Sequence, residues 1–131
     1  MIGRILVAVA DSAPSLAAAR AAVGLASTLG AELRVLTVAD RDRDPEPILR
    51  HVEGLARRAG VAVSTQAERD GVPPFESTLA AAREWHADLI VMGRTDERRT
   101  GRAYLGSQTE HLLEFTEVPV LVVPDGGSRL R

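Results

Sequence analysis

Short apolar segments alternate along the chain with longer stretches that show helical periodicity. The apolar segments run from Ile5 to Ala10, Glu32 to Val38, Val61 to Ala67, Asp88 to Met92 and Val118 to Val123. Four of them consist almost entirely of Val, Leu, Ile and Ala, which is typical of strands covered on both faces of a sheet. The third becomes polar after Val63, so we expect it at an edge of the sheet.

The four stretches between the strands repeat apolar residues three and four positions apart, which predicts amphipathic helices. The predicted inner faces are Leu16, Ala19, Val23 and Ala26 in the first helix, Ile48, Val52, Leu55 and Ala59 in the second, and Phe75, Leu79, Ala82 and His86 in the third. Gly30 and Gly60 follow the first two helices and are predicted to end them. The segment from Ser107 to Glu110 has the pattern of a capping box and is predicted to begin the fourth helix.

Regular alternation of strands and helices predicts one α/β domain, with a five-stranded parallel sheet and helices on both faces. The length of 131 residues fits a single domain. We assign residues 1–124 to this domain. Residues 125–131 include Gly126, Gly127 and Ser128 and are predicted to form a disordered tail.

Composition excludes several kinds of chemistry. The chain has no Cys, and all 16 of its cationic side chains are Arg, so thiolate, Schiff-base and P-loop lysine mechanisms are excluded. A net charge of -2 gives no basis for binding nucleic acid. His51, His86 and His111 are far apart in sequence, so we expect surface positions and no metal site. No signal peptide and no apolar run of about 20 residues is present, which predicts a cytoplasmic protein that is not bound to a membrane.

Ligands of open parallel sheets bind beyond the carboxyl ends of the strands, and two predicted loops there carry polar residues. The first joins Ala10 to the first helix through Asp11 and Ser12. The carboxylate of Asp11 can bind a ribose hydroxyl or a metal ion. An Asp or Ser at such a turn also commonly caps the following helix, so both interpretations stay open.

The second loop runs from Gly93 to Ser107. It contains Gly101 and Gly106 and four arginines, which are Arg94, Arg98, Arg99 and Arg102. Glycine lets a backbone approach a phosphate closely, and a helix amino terminus with arginine nearby attracts anions. A phosphate-binding loop and a charged surface loop both fit this pattern.

The order of these motifs resembles the universal stress protein family. The resemblance rests on the segments Ile5 to Ser12, Asp88 to Gly93, Gly106-Ser107 and Val118 to Pro124. It implies a Rossmann-like sheet of strand order 3-2-1-4-5, rather than the flavodoxin-like order 2-1-3-4-5. It also implies a regulatory protein that binds ATP or AMP, with or without Mg²⁺, and not an enzyme.

Nucleotide-binding members of that family carry Gly, two residues, Gly, nine residues, and then Gly followed by Ser or Thr. This chain keeps the spacing, with Gly93, Gly106 and Ser107 in place and Asp96 at the second glycine position. By resemblance, the backbone of Val38 would contact adenine and Asp11 would face the ribose or metal. The amides of Gly93, Gly106, Ser107 and Gln108 would hold the phosphates. Ala10, Met92, Arg94 and Asp96 complete the predicted site.

Two further interpretations compete with nucleotide binding. Asp96 puts a negative side chain where the family has bare backbone, which favours a dimerising interaction module that has lost the nucleotide. A phosphoacceptor or enzyme on a similar fold would use Asp11 and Asp70, but a receiver domain needs a lysine that this chain lacks. The segment from Val118 to Val123 is an apolar last strand, and pairing two such strands antiparallel predicts a homodimer.

Overall fold

The structure is a computed structural model that describes residues 1–10, 13–39, 43–69, 73–94 and 107–124. In this part of the chain, strands and helices alternate in the order β1 Arg4–Val9, α1 Ala13–Leu29, β2 Glu32–Ala39, α2 Glu46–Arg58, β3 Val63–Arg69, α3 Pro74–Trp85, β4 Leu89–Gly93, α4 Ser107–Phe115 and β5 Val120–Val123. All paired strands are parallel, and their order across the sheet is β3-β2-β1-β4-β5. The predicted order 3-2-1-4-5 is therefore confirmed, and the order 2-1-3-4-5 is excluded.

The sheet buries both of its faces, because successive side chains of a strand point to opposite sides. Ile5, Val7, Leu33, Val35 and Val91 pack with α1 and α2 in one apolar core. On the opposite face, Leu6, Leu36, Ile90 and Met92 pack with α3 and α4 in a second core. Continuous apolar sequence in β1, β2 and β4 follows from this burial on both faces.

Strand register brings the carboxyl ends of the central strands to one edge. Val9 of β1 lies opposite Thr37 of β2, and Ala8 lies opposite Met92 of β4. The hydroxyl of Thr37 donates a hydrogen bond of 2.7 Å to the carbonyl of Val9, which ties β1 and β2 together at this edge. From β1, the strands β2 and β3 follow outwards on one side of the sheet, and β4 and β5 follow outwards on the other. Strand order therefore reverses at β1.

Three helices end in the same backbone turn. A residue with positive φ follows each of them, namely Gly30 (φ 67°) after α1, Gly60 (φ 74°) after α2 and His86 (φ 60°) after α3. The next amide then donates back five residues, from Ala31 to Ala26 (3.0 Å), from Val61 to Ala56 (2.9 Å) and from Ala87 to Ala82 (2.9 Å). These bonds satisfy helix carbonyls that have no partner within the helix.

At these turns the structure differs from two sequence predictions. Gly30 and Gly60 do end their helices as predicted, but His86 is not part of the helical face of α3, because it adopts the left-handed conformation that ends the helix. Strand β3 begins at Val63 rather than Val61. Val61 instead completes the turn after α2, where its side chain is buried.

The inner face of α2 differs from its prediction by about one position. Leu49, Val52 and Ala56 are the buried residues of this helix, whereas Ala59 lies beyond its end and is exposed. Ile48 borders a cleft between α1 and α2, so it is only partly buried. Prediction for α1 was closer, since Ala19, Val23 and Ala26 are buried as expected.

A carboxylate ties the amino-terminal edge of the sheet together. Asp88, just before β4, accepts hydrogen bonds from the amides of Gly3 (2.8 Å) and Arg4 (3.0 Å). These two bonds stabilise the charged form and lower the pKa of Asp88 below its ordinary value. The guanidinium of Arg4 also donates to the carbonyl of Trp85 at 2.8 Å, so the start of β1 is held by the end of α3.

The three histidines lie at the surface, as the sequence predicts. His51, His86 and His111 are all exposed. Among the described helices, none is both long and apolar enough to cross a membrane. The tail predicted for residues 125–131 lies outside the described residues.

Candidate functional site

A pocket of about 190 Å³ lies at the carboxyl ends of β1, β2 and β4, on the face covered by α3 and α4. The strands contribute Ala8, Val9, Ala10, Leu36, Val38, Met92 and Gly93 to its lining, and the helices contribute Ser15, Pro74, Phe75, Thr78 and Gln108. It lies next to β1, where the strand order reverses, which is the usual ligand position in open α/β sheets.

The first turn of α1 fixes the end of β1 beside the pocket. Ser15 is buried, and its hydroxyl oxygen accepts a hydrogen bond of 2.8 Å from the amide of Ala10. Ala10 follows the last residue of β1 and is not part of the strand pairing. A serine inside the helix therefore determines how the backbone leaves β1. Asp11 and Ser12, the predicted ligand or capping residues, lie outside the described residues.

Gly93 is a glycine because α1 packs directly on it. A Cβ at this position would overlap the carbonyl oxygen of Pro14, and it would lie 2.5 Å from the Pro14 carbonyl carbon and 2.9 Å from the Ser15 nitrogen. All three atoms belong to backbone, so no rotamer change could make room. The packing of α1 accounts for this glycine without any ligand, while its backbone still lines the pocket.

The far wall of the pocket joins α3 to α4. The amide of Phe75, in the first turn of α3, donates to the side-chain oxygen of Gln108 at 3.0 Å. The ring of Phe75 stacks on His111 with centroids 4.9 Å apart, and on Phe115 at 6.1 Å. Thr78 is buried, and its hydroxyl donates to the carbonyl of Pro74 at 3.0 Å.

Half of the predicted site residues meet at this pocket. Those that line it are Ala10, Val38, Met92, Gly93 and Gln108. Arg94 follows β4 and donates its amide to the carbonyl of Val123 at 2.9 Å, and it is not among the described lining residues. Asp11, Asp96 and Gly106 lie outside the described residues, as does the side chain of Ser107, the first residue of α4.

Sequence reasoning missed the contribution of α3. Pro74, Phe75 and Thr78 were treated as part of a helix face or not considered, yet all three line the pocket. A signal was present in Pro73-Pro74, since proline favours the first turn of a helix and so predicts Phe75 in the first turn of the helix that follows β3.

Larger clefts lie elsewhere in the described part of the molecule. One of about 520 Å³ lies between α1 and α2, with Arg43, Asp44 and His51 at its rim, and contains none of the predicted site residues. Another of about 300 Å³ lies near the amino ends of the strands. Position at the reversal of strand order, rather than volume, therefore identifies the candidate site. The described residues contain no group of three His, Asp or Glu side chains that could hold a metal ion.

This fold and this pocket define a Rossmann-like α/β protein with a pocket at the reversal of strand order. Comparison with known proteins gives the family. The sequence model of the universal stress protein family matches residues 1–56 and 46–124. The chain belongs to the universal stress protein family.

Individual relatives agree with this assignment. A universal stress protein of Methanocaldococcus jannaschii is 30% identical over 139 aligned positions, covering 92% of this chain and 81% of the relative. A crystal structure of a family member from Burkholderia pseudomallei is 28% identical with a TM-score of 0.76, covering 94% of this chain and 96% of that one. A universal stress protein solved in complex with cAMP is 25% identical with a TM-score of 0.80, covering 95% and 98%.

Proposed function

We propose that this protein is a regulatory protein that binds an adenine nucleotide at the carboxyl ends of β1 and β4. One observation carries the proposal. The lining of the pocket at the reversal of strand order includes Ala10, Val38, Met92, Gly93 and Gln108, which are five of the ten residues predicted for the site. A relative of similar fold has been solved with cAMP, which supports adenine as the base. The ligand is ATP or AMP, with or without Mg²⁺.

The phosphates would lie towards the start of α4. Helix amino termini attract anions through their unpaired amides, and α4 begins at Ser107 next to Gln108 in the pocket lining. In this proposal the amides of Gly106 and Ser107 hold the phosphates, and Asp11 faces the ribose. The nucleotide is a regulatory ligand, the protein acts in the cytoplasm, and no residue is assigned a catalytic role.

Mass spectrometry of the purified protein tests this proposal directly. The protein is purified without added nucleotide and denatured, and we expect the released fraction to contain an adenine nucleotide. Calorimetric titration with AMP, ATP and cAMP then gives the affinities. Ala8→Leu, which puts a larger side chain on the pocket lining, should abolish binding. Ala62→Leu, at an exposed position outside the pocket, should leave it unchanged. Absence of any binding at millimolar nucleotide would overturn the proposal.

The alternative function is that of a dimerising interaction module, and β5 favours it. This strand is an edge of the sheet with β4 as its partner, and Leu121 is 39% exposed. An apolar edge strand presents unpaired backbone groups to another chain. Antiparallel pairing of two β5 strands about a two-fold axis would give a homodimer.

Sedimentation analysis at micromolar concentration tests the dimer. We expect a dimer for the wild type and a monomer for Leu121→Lys, because the added charge opposes apolar pairing at the edge. A dimer that binds no nucleotide would favour the interaction module. A wild-type monomer would overturn the pairing of β5.

A further inference from the structure

Phe75 contributes an aromatic surface to the candidate pocket that no sequence motif of the site includes. It is half-buried and lies in the first turn of α3, directly facing the pocket lining formed by β1, β2 and β4. Pro74 precedes it in the same wall. Phe75 packs at the margin of the core on this face of the sheet and also lines the pocket.

The backbone and the ring of Phe75 are both held by α4. Amides in the first turn of a helix have no acceptor within the helix, and here the side-chain oxygen of Gln108 accepts the Phe75 amide at 3.0 Å. The imidazole of His111 stacks on the Phe75 ring at 4.9 Å and an interplanar angle of 21°. A surface held in this way loses little conformational entropy when a ligand binds.

The rest of the described lining is mainly hydrocarbon. Ala8, Leu36, Val38 and Met92 supply the strand side. Of the hydroxyl groups, that of Thr78 already donates to Pro74. The volume of about 190 Å³ is below the roughly 300–1,000 Å³ of sites that enclose a drug-sized ligand. These walls fit one flat ring system rather than a phosphate group or a whole nucleotide.

We infer that Phe75 is the residue that selects for an aromatic base, which packs between its ring and the aliphatic strand side at Val38. This inference rests on the proposed nucleotide function and assigns the base to the α3 side of the pocket. An aromatic side chain can stack on any nucleobase, because every base has a π-face. Specificity for a nucleobase over other phosphorylated ligands therefore comes from Phe75, and the phosphates contribute affinity without selecting the base.

Calorimetric titration with adenosine, AMP and ribose 5-phosphate tests the inference. Phe75→Ala should weaken the affinity for adenosine and AMP by about ten-fold and change the affinity for ribose 5-phosphate by less than two-fold. Phe75→Tyr, which keeps the ring, should retain adenosine binding, and Phe75→Leu replaces Phe75→Ala if the alanine variant does not fold. Trp85→Ala is the matched control, because it removes an aromatic ring from the other end of α3 that lies against Arg4 and Arg34 and does not line the pocket, and it should change adenosine affinity by less than two-fold.

The possible results separate the two proposals. If the wild type binds AMP, and Phe75→Ala or Phe75→Leu binds adenosine as tightly as the wild type does, the role proposed for Phe75 is wrong while the nucleotide function stands. An equal loss of affinity for ribose 5-phosphate and for adenosine would also overturn the role of Phe75, because the effect would then be general to the site. If the wild type binds none of the three ligands, the nucleotide function itself fails.

Discussion

Replacing Gly93 by alanine should destabilise the protein strongly. The added Cβ would lie 2.5 Å from the carbonyl carbon of Pro14 and 2.9 Å from the nitrogen of Ser15, so the first turn of α1 must move away from β4. Overpacking in a core typically costs about 1–3 kcal/mol. We expect about 3 kcal/mol, because the atoms in contact are backbone. With an unfolding entropy of about 2.1 cal/mol/K per residue, a chain of 131 residues would lose about 10 °C in Tm.

Thermal unfolding followed by circular dichroism measures this loss, and Gly24→Ala is the matched control. Gly24 lies in α1, and a Cβ there would meet no atom within 4 Å. Alanine should raise stability at that position by about 0.5–1 kcal/mol, because glycine is unfavourable inside a helix. A Gly93→Ala variant with the Tm of the wild type would refute the packing argument. The glycine would then have to be explained by backbone approach to a ligand.

Four further substitutions test other parts of the protein. Leu112 is fully buried and the adjacent Leu113 is 40% exposed, so Leu112→Ala should cost about 2–5 kcal/mol and Leu113→Ala about 0.5 kcal/mol. Equal losses in urea denaturation would contradict the orientation of α4. The pKa of Asp88 is lowered by two amide hydrogen bonds, so the stability they provide is present above the pKa of the unfolded state and is lost as pH falls through the lower pKa of the folded state. Asp88→Asn should thus lower Tm at pH 7, with the difference from wild type disappearing in acid below about pH 4, and a difference independent of pH would count against this. Asp96→Gly should tighten ATP binding about five-fold and leave adenosine unchanged. Like charges at ~5 Å repel by up to about 3 kcal/mol at an effective dielectric near 20, and solvent and salt reduce this to about 1 kcal/mol. An equal effect on adenosine would exclude charge repulsion as the cause.

Strand positions could be predicted from the sequence because burial on both faces leaves a continuous apolar pattern, whereas the strand order was implied by the family resemblance. The edge position of β3 was also predicted correctly, from the polar residues that follow Val63. Helix faces were less certain. The inner face of α2 was predicted one position away, because Ile48 and Leu49 are both apolar and periodicity alone does not decide which of them points to the sheet.

Among the residues that line the pocket, those predicted lie at strand ends, apart from Gln108 at the start of α4. Gly93 follows from the topology, since parallel strands bring their carboxyl ends to one edge, whereas Val38, Met92 and Gln108 were implied by the family resemblance. Phe75 could not be found in this way, because its place in the pocket depends on the tertiary contact between α3 and Gln108. His86 gave no sequence signal either. Its left-handed conformation is one that glycine usually supplies. In this conformation the chain turns so that the amide of Ala87 donates to the carbonyl of Ala82 in α3.

The repeated turn after α1, α2 and α3 makes the two ends of the parallel strands unequal in their tolerance of insertions. Each turn connects a helix to the next strand within a few residues, and the residues that enter the strands, Ala31, Val61 and Ala87, are buried. An insertion there would break helix-capping bonds and shift the strand register. At the carboxyl ends of the strands, the connection between β4 and α4 spans residues 94–106 and is longer than any of these turns. Surface connections tolerate changes in length better than the elements they join, so we expect variation at this end of the sheet while the framework stays the same.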